Sequence, residues 1–481
     1  MRVAGRWRCL SVAVLAASLV GAGSWGHAGA QDAPARTPVA TPRADLASPR
    51  TGEAPSPSPR DVVRAAYNLM RQRYVVEVSP AALLAAARGA EASLDPSLTG
   101  VGESSAEEAW AGFIEEFSSV AHVPSAGTNP AHVAVRRMTA SLNDCHTSFT
   151  DDHGRDAVAL SRVEPYGGVG AVIREARRFD PAPPGPVVVQ VFDGSPAAGA
   201  GLRAGDAVIA VDGALTADAS RPLVERVRGV PGTTVVLRVD RLGEETLVEV
   251  PVVRGEVTVP LVASRVEMVA GVGPVGVLRL RSFARPAVTP FTEAVAAMRS
   301  KGVRGWVIDL RDNGGGDLGV FQQVASLFID GPLAITIKRD GAPRVIARAR
   351  APGPDDAASV DRLPVAVLAG ADTASAAELL AGDLFDYGVG RLFGERTAGC
   401  FGTSELFRLP DGSGMWITVS ALQTGLARRD VHRTGMTPAV AVPLRRADLA
   451  AGRDAVAEAA FSWLQQRLAR TGGDPRTAMP R

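Results

Sequence analysis

An α+β fold in several domains is predicted by three stretches with three different periodicities. Residues 61–142 carry apolar side chains at helical spacing, 164–254 carry short β-branched runs between glycines, and 264–465 alternate strand with helix. At 481 residues the chain is long enough for two or three domains. It is 46% hydrophobic and holds 51 Gly and 34 Pro, which suits packed layers joined by many turns. The formal net charge of +1 removes any general electrostatic argument for a nucleic-acid partner.

The first thirty residues, MRVAGRWRCLSVAVLAASLVGAGSWGHAGA, combine Arg2, Arg6 and Arg8 with an apolar Leu10–Val20 run and an Ala28–Gly29–Ala30 cleavage pattern. They read as a signal peptide over 1–30, because the apolar run falls short of the roughly 18 residues of a membrane span. No later segment reads as a span, so a periplasmic or secreted address is expected. Cleavage removes Cys9 and leaves Cys145 and Cys400 where disulfides are permitted. Residues 31–60, rich in Pro, Ala, Ser and Thr, read as a disordered leader.

An N-terminal helical region is expected over 61–160. It opens at DVVRAAYNLMRQRYV with Asp61 as a cap and continues with helices near 80–90, 105–120 and 130–142. Within 164–254, GPVVVQVF, DAVIAVDG and TVVLRVDR read as strands and SRPLVERVRG as a short helix. From 264 to 465 the strands GVLRLRSF, GWVIDLR, LAITIKR and VAVLAG are separated by helical stretches, an alternation that argues for α/β layers. GMWITVSALQTG adds a late strand, GRDAVAEAAFSWLQQRLAR a final helix, and 466–481 a disordered tail.

Three stretches hold residue types suited to chemistry. WVIDLRDNGGGDL (306–318) is a strand running into consecutive glycines, whose unobstructed N–H groups can receive an anion or a developing oxyanion. VAVLAGADTASAAELLAGDLFDYG (365–388) places Ser375 between a strand and a helix, where a hydroxyl suits acyl transfer. MTASLNDCHTSF (138–149) puts His146 in a polar turn, with an ordinary pKa near 6.5 that suits a general base. Taken singly, each has a plainer reading: a tight turn, a helix cap assisted by Glu378, and a structural histidine. Nothing completes a zinc spacing around Cys145 and His146.

In this order the motifs resemble those of peptidase family S41, the C-terminal processing, tail-specific and tricorn-like peptidases, over nearly all of 61–460. LNDCHTSF is similar to its L-x-D-x-H-T-x-F/Y segment, DLRDNGGGDL to D-L-R-x-N-x-G-G, DTASAAELLAGDLFDYG to its serine motif, and GERTAGCFG (394–402) to G-x-x-T-x-G-K-G. VVVQVFDGSPAAGAGLRAGDAVIAVDG resembles a PDZ domain. The resemblance implies a crotonase- and ClpP-like αβ peptidase core with an inserted PDZ domain. It implies Ser375 as nucleophile, an oxyanion hole from the Ala376 N–H with that of Gly315 or Gly316, and no metal or nucleotide cofactor.

The family's catalytic lysine falls on Cys400 and its orienting glutamine on Ser404, while Lys301 and Lys338 are the only lysines and read as solvent side chains. The tricorn-like branch uses a histidine on the serine, so the resemblance points to His146 as base. HRTGMTPA (432–439) sets His432 and Ala439 where the family has glutamate and aspartate, so Asp430 is the favoured third member and Glu378 the weaker one. The PDZ likeness implies that protein or peptide substrates enter by an accessible C-terminal tail. The tail's carboxylate would be held at Tyr166, Gly167, Gly168 and Val169 in preference to Gly199–Leu202. Cys400 either fills the space of the lysine stem or bridges to Cys145. The implied function is an exported serine endopeptidase, and the alternative is a catalytically weak relative that binds protein tails.

Overall fold

The structure, a computed structural model, describes residues 57–89, 103–120, 129–151, 166–217, 222–350 and 363–470. The expected signal peptide, the leader as far as 56 and the tail from 471 lie outside the described residues. No helix among the described residues is long and apolar enough to cross a membrane.

The centre is a six-stranded sheet in the order Val262–Val269, Gly273–Leu280, Trp306–Asp309, Val365–Ala369, Gly390–Gly394, Val440–Ala441. The first pair is antiparallel and every later pair is parallel. Trp306–Asp309 and Val365–Ala369 are buried along their whole length, as strands covered on both faces must be. Helices Val288–Ser300, Leu318–Ser326 and Ala376–Asp386 pack one face around Phe291, Trp306 and Phe321. The final helix packs the other face through Val456, Ala460 and Leu464. In sheets of this kind, ligand sites gather beyond the carboxyl ends of adjacent parallel strands. Here those ends lead into 310–316 and 370–375.

A second, antiparallel sheet pairs Gly414–Thr424 with Gly331–Lys338, Gly402–Arg408 and Ser148–Thr150. The last of these belongs to the N-terminal region, whose helices also share one apolar cluster with Leu409, Met415 and Ile417. The helical region is therefore continuous with the α/β layers, and its loop at 142–148 arrives on the strand that carries Thr418. Residues 166–257 form a separate β module. Its main sheet runs Ala171–Arg174, Val187–Val191, Ala207–Val211, Thr234–Asp240, Val248–Val253, with Ala171–Arg174 at an edge.

Two boundaries differ from the sequence expectation. The first helix starts at Pro59, inside the expected leader, because Ser58 rather than Asp61 is its N-cap. Asp61 instead returns a hydrogen bond to the Ser58 N–H in a capping box. The last helix, Ala455–Ala469, falls within the stretch read as helical, and the core's expected limit of 465 cuts it short, because Leu468 is buried against the sheet.

Strand register fixes one close approach. Gly276 lies opposite Trp306, and a Cβ on it would stand 2.6 Å from the indole and 3.0 Å from the Met298 sulfur. Overpacking of this kind costs about 1–3 kcal/mol. Gly276→Ala is therefore expected to lower the unfolding free energy of the core by that amount, seen as a lower urea midpoint in tryptophan fluorescence.

Candidate active site

Beyond Val365–Ala369 the chain turns back at 370–374 and enters the helix Ala376–Asp386 at Ser375. Thr373 pins this turn: its Oγ1 accepts from the Gly370 N–H (2.9 Å) and donates to the Leu310 carbonyl (2.8 Å). The Ala374 N–H donates to the Asn313 carbonyl (3.0 Å), so the nucleophile turn is tied to the glycine turn of the neighbouring strand. Ser375 is buried and adopts φ +55°, ψ −122°, a region that residues with a Cβ rarely occupy and that the surrounding bonds must enforce. A serine on a strained strand-to-helix turn presents its hydroxyl outward at the head of the helix.

Glu378 is the buried centre of those bonds. Its Oε2 accepts from the N–H groups of Ser375 (3.1 Å) and Cys400 (2.9 Å). Its Oε1 accepts from Gly399 N–H (2.8 Å) and Thr397 Oγ1 (2.5 Å). Burial pushes its pKa up to about 7, against these four bonds, which favour the ionised form. Three of the four donors are backbone N–H groups that can only donate, which favours the carboxylate. Glu378 thus anchors the 397–400 loop to Ser375 and does not face a histidine ring.

The expected oxyanion donors lie beside Ser375 in unequal states. Gly315, at φ +96°, is so close that a Cβ would stand 2.7 Å from Ser375 Cβ and 2.8 Å from the Ala374 carbonyl. Its N–H, however, donates to Asn313 Oδ1 (2.8 Å). The N–H groups of Ala376 and Gly316 have no partner among the described residues.

His146 is buried beside Gly402, and burial holds its pKa below the usual histidine value against the opposing charge of Asp144. Its Nδ1 lies 3.7 Å from Cys145 Sγ, and its Nε2 has no partner. No hydrogen bond joins the ring to Ser375. The carboxylate that faces His146 is Asp144, which sequence reasoning passed over. Its Oδ1 accepts from the His146 backbone N–H (3.0 Å) and its Oδ2 from Thr147 Oγ1 (2.8 Å) and Thr418 Oγ1. Burial works against that carboxylate, yet the His146 charge and these bonds keep its pKa below the ordinary range. Asp430 is exposed and caps the His432 N–H (2.9 Å), away from the ring. His432 is also held below its usual pKa by burial, with Asp144 opposing, and its Nδ1 is unpartnered.

Cys145 and Cys400, 255 residues apart, are joined in a disulfide with Cα atoms 5.8 Å apart. Ser404, at the family's glutamine position, is buried with its hydroxyl unpartnered. Lys301 and Lys338 are both exposed, one after the helix Val288–Ser300 and the other at the end of Gly331–Lys338.

On the β module, Tyr166 and Val169 line a groove of about 260 Å³ with Ile173, Leu223 and Val227, alongside the edge strand Ala171–Arg174. Gly167 and Gly168 belong to the strand Tyr166–Gly168 but do not line the groove, and Arg228, which does, sits 4.4 Å over the Tyr166 ring. Of the alternative stretch, Gly199 ends a short helix and Leu202 is buried in the module's core; neither lines the groove.

Residues 163–252 match the model of the PDZ domain and 274–442 that of peptidase family S41. A carboxyl-terminal-processing protease of Picosynechococcus sp. is 32% identical over 315 residues, covering 65% of this chain and 73% of that protein. The chain belongs to peptidase family S41. The chloroplastic carboxyl-terminal-processing peptidase 2 of Arabidopsis thaliana is 31% identical over 64% of this chain and 59% of its own length. A solved photosystem II D1 C-terminal processing protease superposes with a TM-score of 0.55 at 26% identity, over 87% of this chain and 99% of that one. This S41 member is accordingly a serine-type peptidase of α+β multidomain build, with a PDZ domain placed before its peptidase core.

Its nucleophile helix holds a second buried carboxyl, Asp383. One oxygen accepts from the Gly425 N–H (2.8 Å), the other has no partner, and burial pushes the pKa up to about 8. A folded-state pKa above the unfolded value near 3.8 gives stability that is complete below about pH 4 and is lost as pH rises through about 8. Asp383→Asn is therefore expected to gain stability relative to wild type steadily from pH 4 to 8, measured by denaturant midpoints across that range.

Proposed function

We propose that this S41 peptidase is exported, captures the C-terminal tail of a protein substrate on its PDZ domain, and cleaves peptide bonds with Ser375 as nucleophile and His146 as base. The observation that carries this reading is Ser375 on its strained turn, its N–H shared between Glu378 and the Cys400 carbonyl (3.0 Å), with Cys400 bonded through sulfur to the residue next to His146. A Ser–Lys pair is disfavoured because both lysines are exposed and Cys400 stands where the family has its lysine. The catalytic logic is then that of the tricorn-like branch, on a core we read as crotonase- and ClpP-like. The third member is Asp144 rather than Asp430, acting through its charge on the imidazolium. The signal peptide at 1–30 and a disulfide both suit a periplasmic or extracellular setting.

A substrate tail adds as a strand beside Ala171–Arg174, its carboxylate directed to the backbone of 166–169 and an apolar side chain to the groove. In the peptidase core, neutral His146 takes the Ser375 hydroxyl proton as Oγ attacks the carbonyl carbon. Burial favours the neutral ring before reaction, and Asp144 stabilises the charge once formed. The oxyanion develops toward the Ala376 N–H and that of Gly316, with the Gly315 N–H available if Asn313 releases it. The protonated His146 returns its proton to the departing amine. Water then attacks the acyl-enzyme, giving up a proton to His146, and His146 returns that proton to Ser375 Oγ as the ester bond breaks, releasing the acid and restoring the free hydroxyl.

Cleavage of a denatured protein bearing an apolar C-terminus tests this. Ser375→Ala and His146→Ala are each expected to lower kcat/KM by at least about 10³-fold while a tail peptide still binds, measured by fluorescence anisotropy. Background-level cleavage by the wild type, with the peptide bound, would leave tail binding as the function. An active His146→Ala enzyme would exclude His146 as base.

A further inference from the structure

The Cys145–Cys400 bridge takes no part in the proton transfers above, yet each half sits in a different part of the site. Cys145 lies between Asp144 and His146, with its sulfur against the imidazole Nδ1. Cys400 accepts from the Ser375 N–H through its carbonyl and donates its own N–H to Glu378. Apart from Arg433, whose guanidinium donates to the Leu142 carbonyl (2.9 Å) and whose N–H donates to the Gly399 carbonyl (2.7 Å), the two sides are bonded elsewhere. Asp144 and Thr147 hold to Thr418 on one side, and Thr397, Gly399 and Ser375 hold to Glu378 on the other. Among the described residues no hydrogen bond runs directly between 144–147 and either 373–376 or 397–401. Ala374 and both cysteines form their own small apolar cluster, separate from the large cores. The covalent bond is thus the direct tie between the histidine loop and the nucleophile turn.

We infer that Cys145 and Cys400 are a positioning pair, whose bridge sets the His146 ring at its working separation from Ser375, so that full turnover requires the bridge closed. The inference rests on the Ser375–His146 reading. A dithiol opens the bridge by passing it two electrons: the S–S bond breaks, the dithiol's two protons leave both cysteines as thiols, and the dithiol closes to its own disulfide. With the bond gone, the 144–147 loop remains on Thr418 and the 397–400 loop on Glu378, and the gap between them is left to Arg433, a hydrogen-bonded link that reaches Leu142 and Gly399 but neither His146 nor Ser375. A misplacement of about 1 Å can cost about 10² in rate. Substrate capture, which occurs on the PDZ domain, should not change.

The experiment uses the full-length protein. Alkylation and mass mapping without reductant are expected to leave Cys145 and Cys400 unmodified; modification of both would overturn the inference at once. Kinetics are then compared before and after dithiothreitol, and again after reoxidation. The expected result is a fall in kcat of about 10²-fold with KM and tail-peptide affinity unchanged, parallel slowing of Ser375 labelling by a fluorophosphonate, and recovery on reoxidation. Cys145→Ser and Cys400→Ser should each show the same loss and no response to dithiol. Unchanged kcat in the reduced wild type overturns the inference, as does a loss accompanied by collapse of the near-UV circular dichroism, which would make the bridge a fold staple. If a serine variant fails to fold, the reversible reduction of the wild type still decides. An active His146→Ala enzyme sinks the underlying reading whatever reduction does. An inactive one alongside an indifferent reduced wild type sinks only the bridge.

Discussion

The site depends on one buried carboxylate. Glu378 collects donors from Ser375, Thr397, Gly399 and Cys400, and so joins the head of the helix Ala376–Asp386 to the loop behind it. Burying a charge is tolerable only when its hydrogen-bonding capacity is filled, so the four donors and the carboxylate enforce one another. The positive φ of Ser375 is a consequence. A strained residue persists when its neighbours over-determine it, and here its N–H is held by a side chain one helical turn ahead and by a carbonyl from a distant loop.

Around that anchor, two adjacent parallel strands supply the rest. The strand at 306–309 delivers the glycines and the strand at 365–369 delivers the serine, with Asn313 and Thr373 cross-linking the two turns. Asn313 is wholly buried: its amide donates to the Leu280 carbonyl (3.0 Å) and its Oδ1 receives the Gly315 N–H. It shapes the glycine turn at the cost of occupying one donor that would otherwise face an oxyanion. The sheet thereby fixes the serine and glycine turns, whereas the loop that carries His146 arrives from the N-terminal region along a different sheet. The chemistry lies at a junction between two separately organised layers.

The sequence made some of this legible and hid the rest for physical reasons. Strands with full burial and helices with a clear apolar stripe could be read directly, as with Val365–Ala369 and Leu318–Ser326. Edge strands such as Pro343–Ala349, mostly exposed along one face and rich in arginine, gave no periodic signal strong enough to be read. Ser375 stood out because small residues cluster where backbones crowd. Asp144 did not, although the Asp-x-His spacing is that of an Asx turn in which the carboxylate bonds the N–H two residues on. Its role is set by Thr418, which lies 274 residues away and which no local pattern can announce. Asp383 was invisible for the same reason: its burial comes from the strand that packs across the helix.

The placement of the two lysines has a further consequence for chemical handling. Amine-directed reagents disable an enzyme whose base is a lysine, but here the side-chain amines are only Lys301 and Lys338, both exposed and on elements away from Ser375. Surface coupling, immobilisation or amine cross-linking therefore addresses the outside of this peptidase and spares its interior.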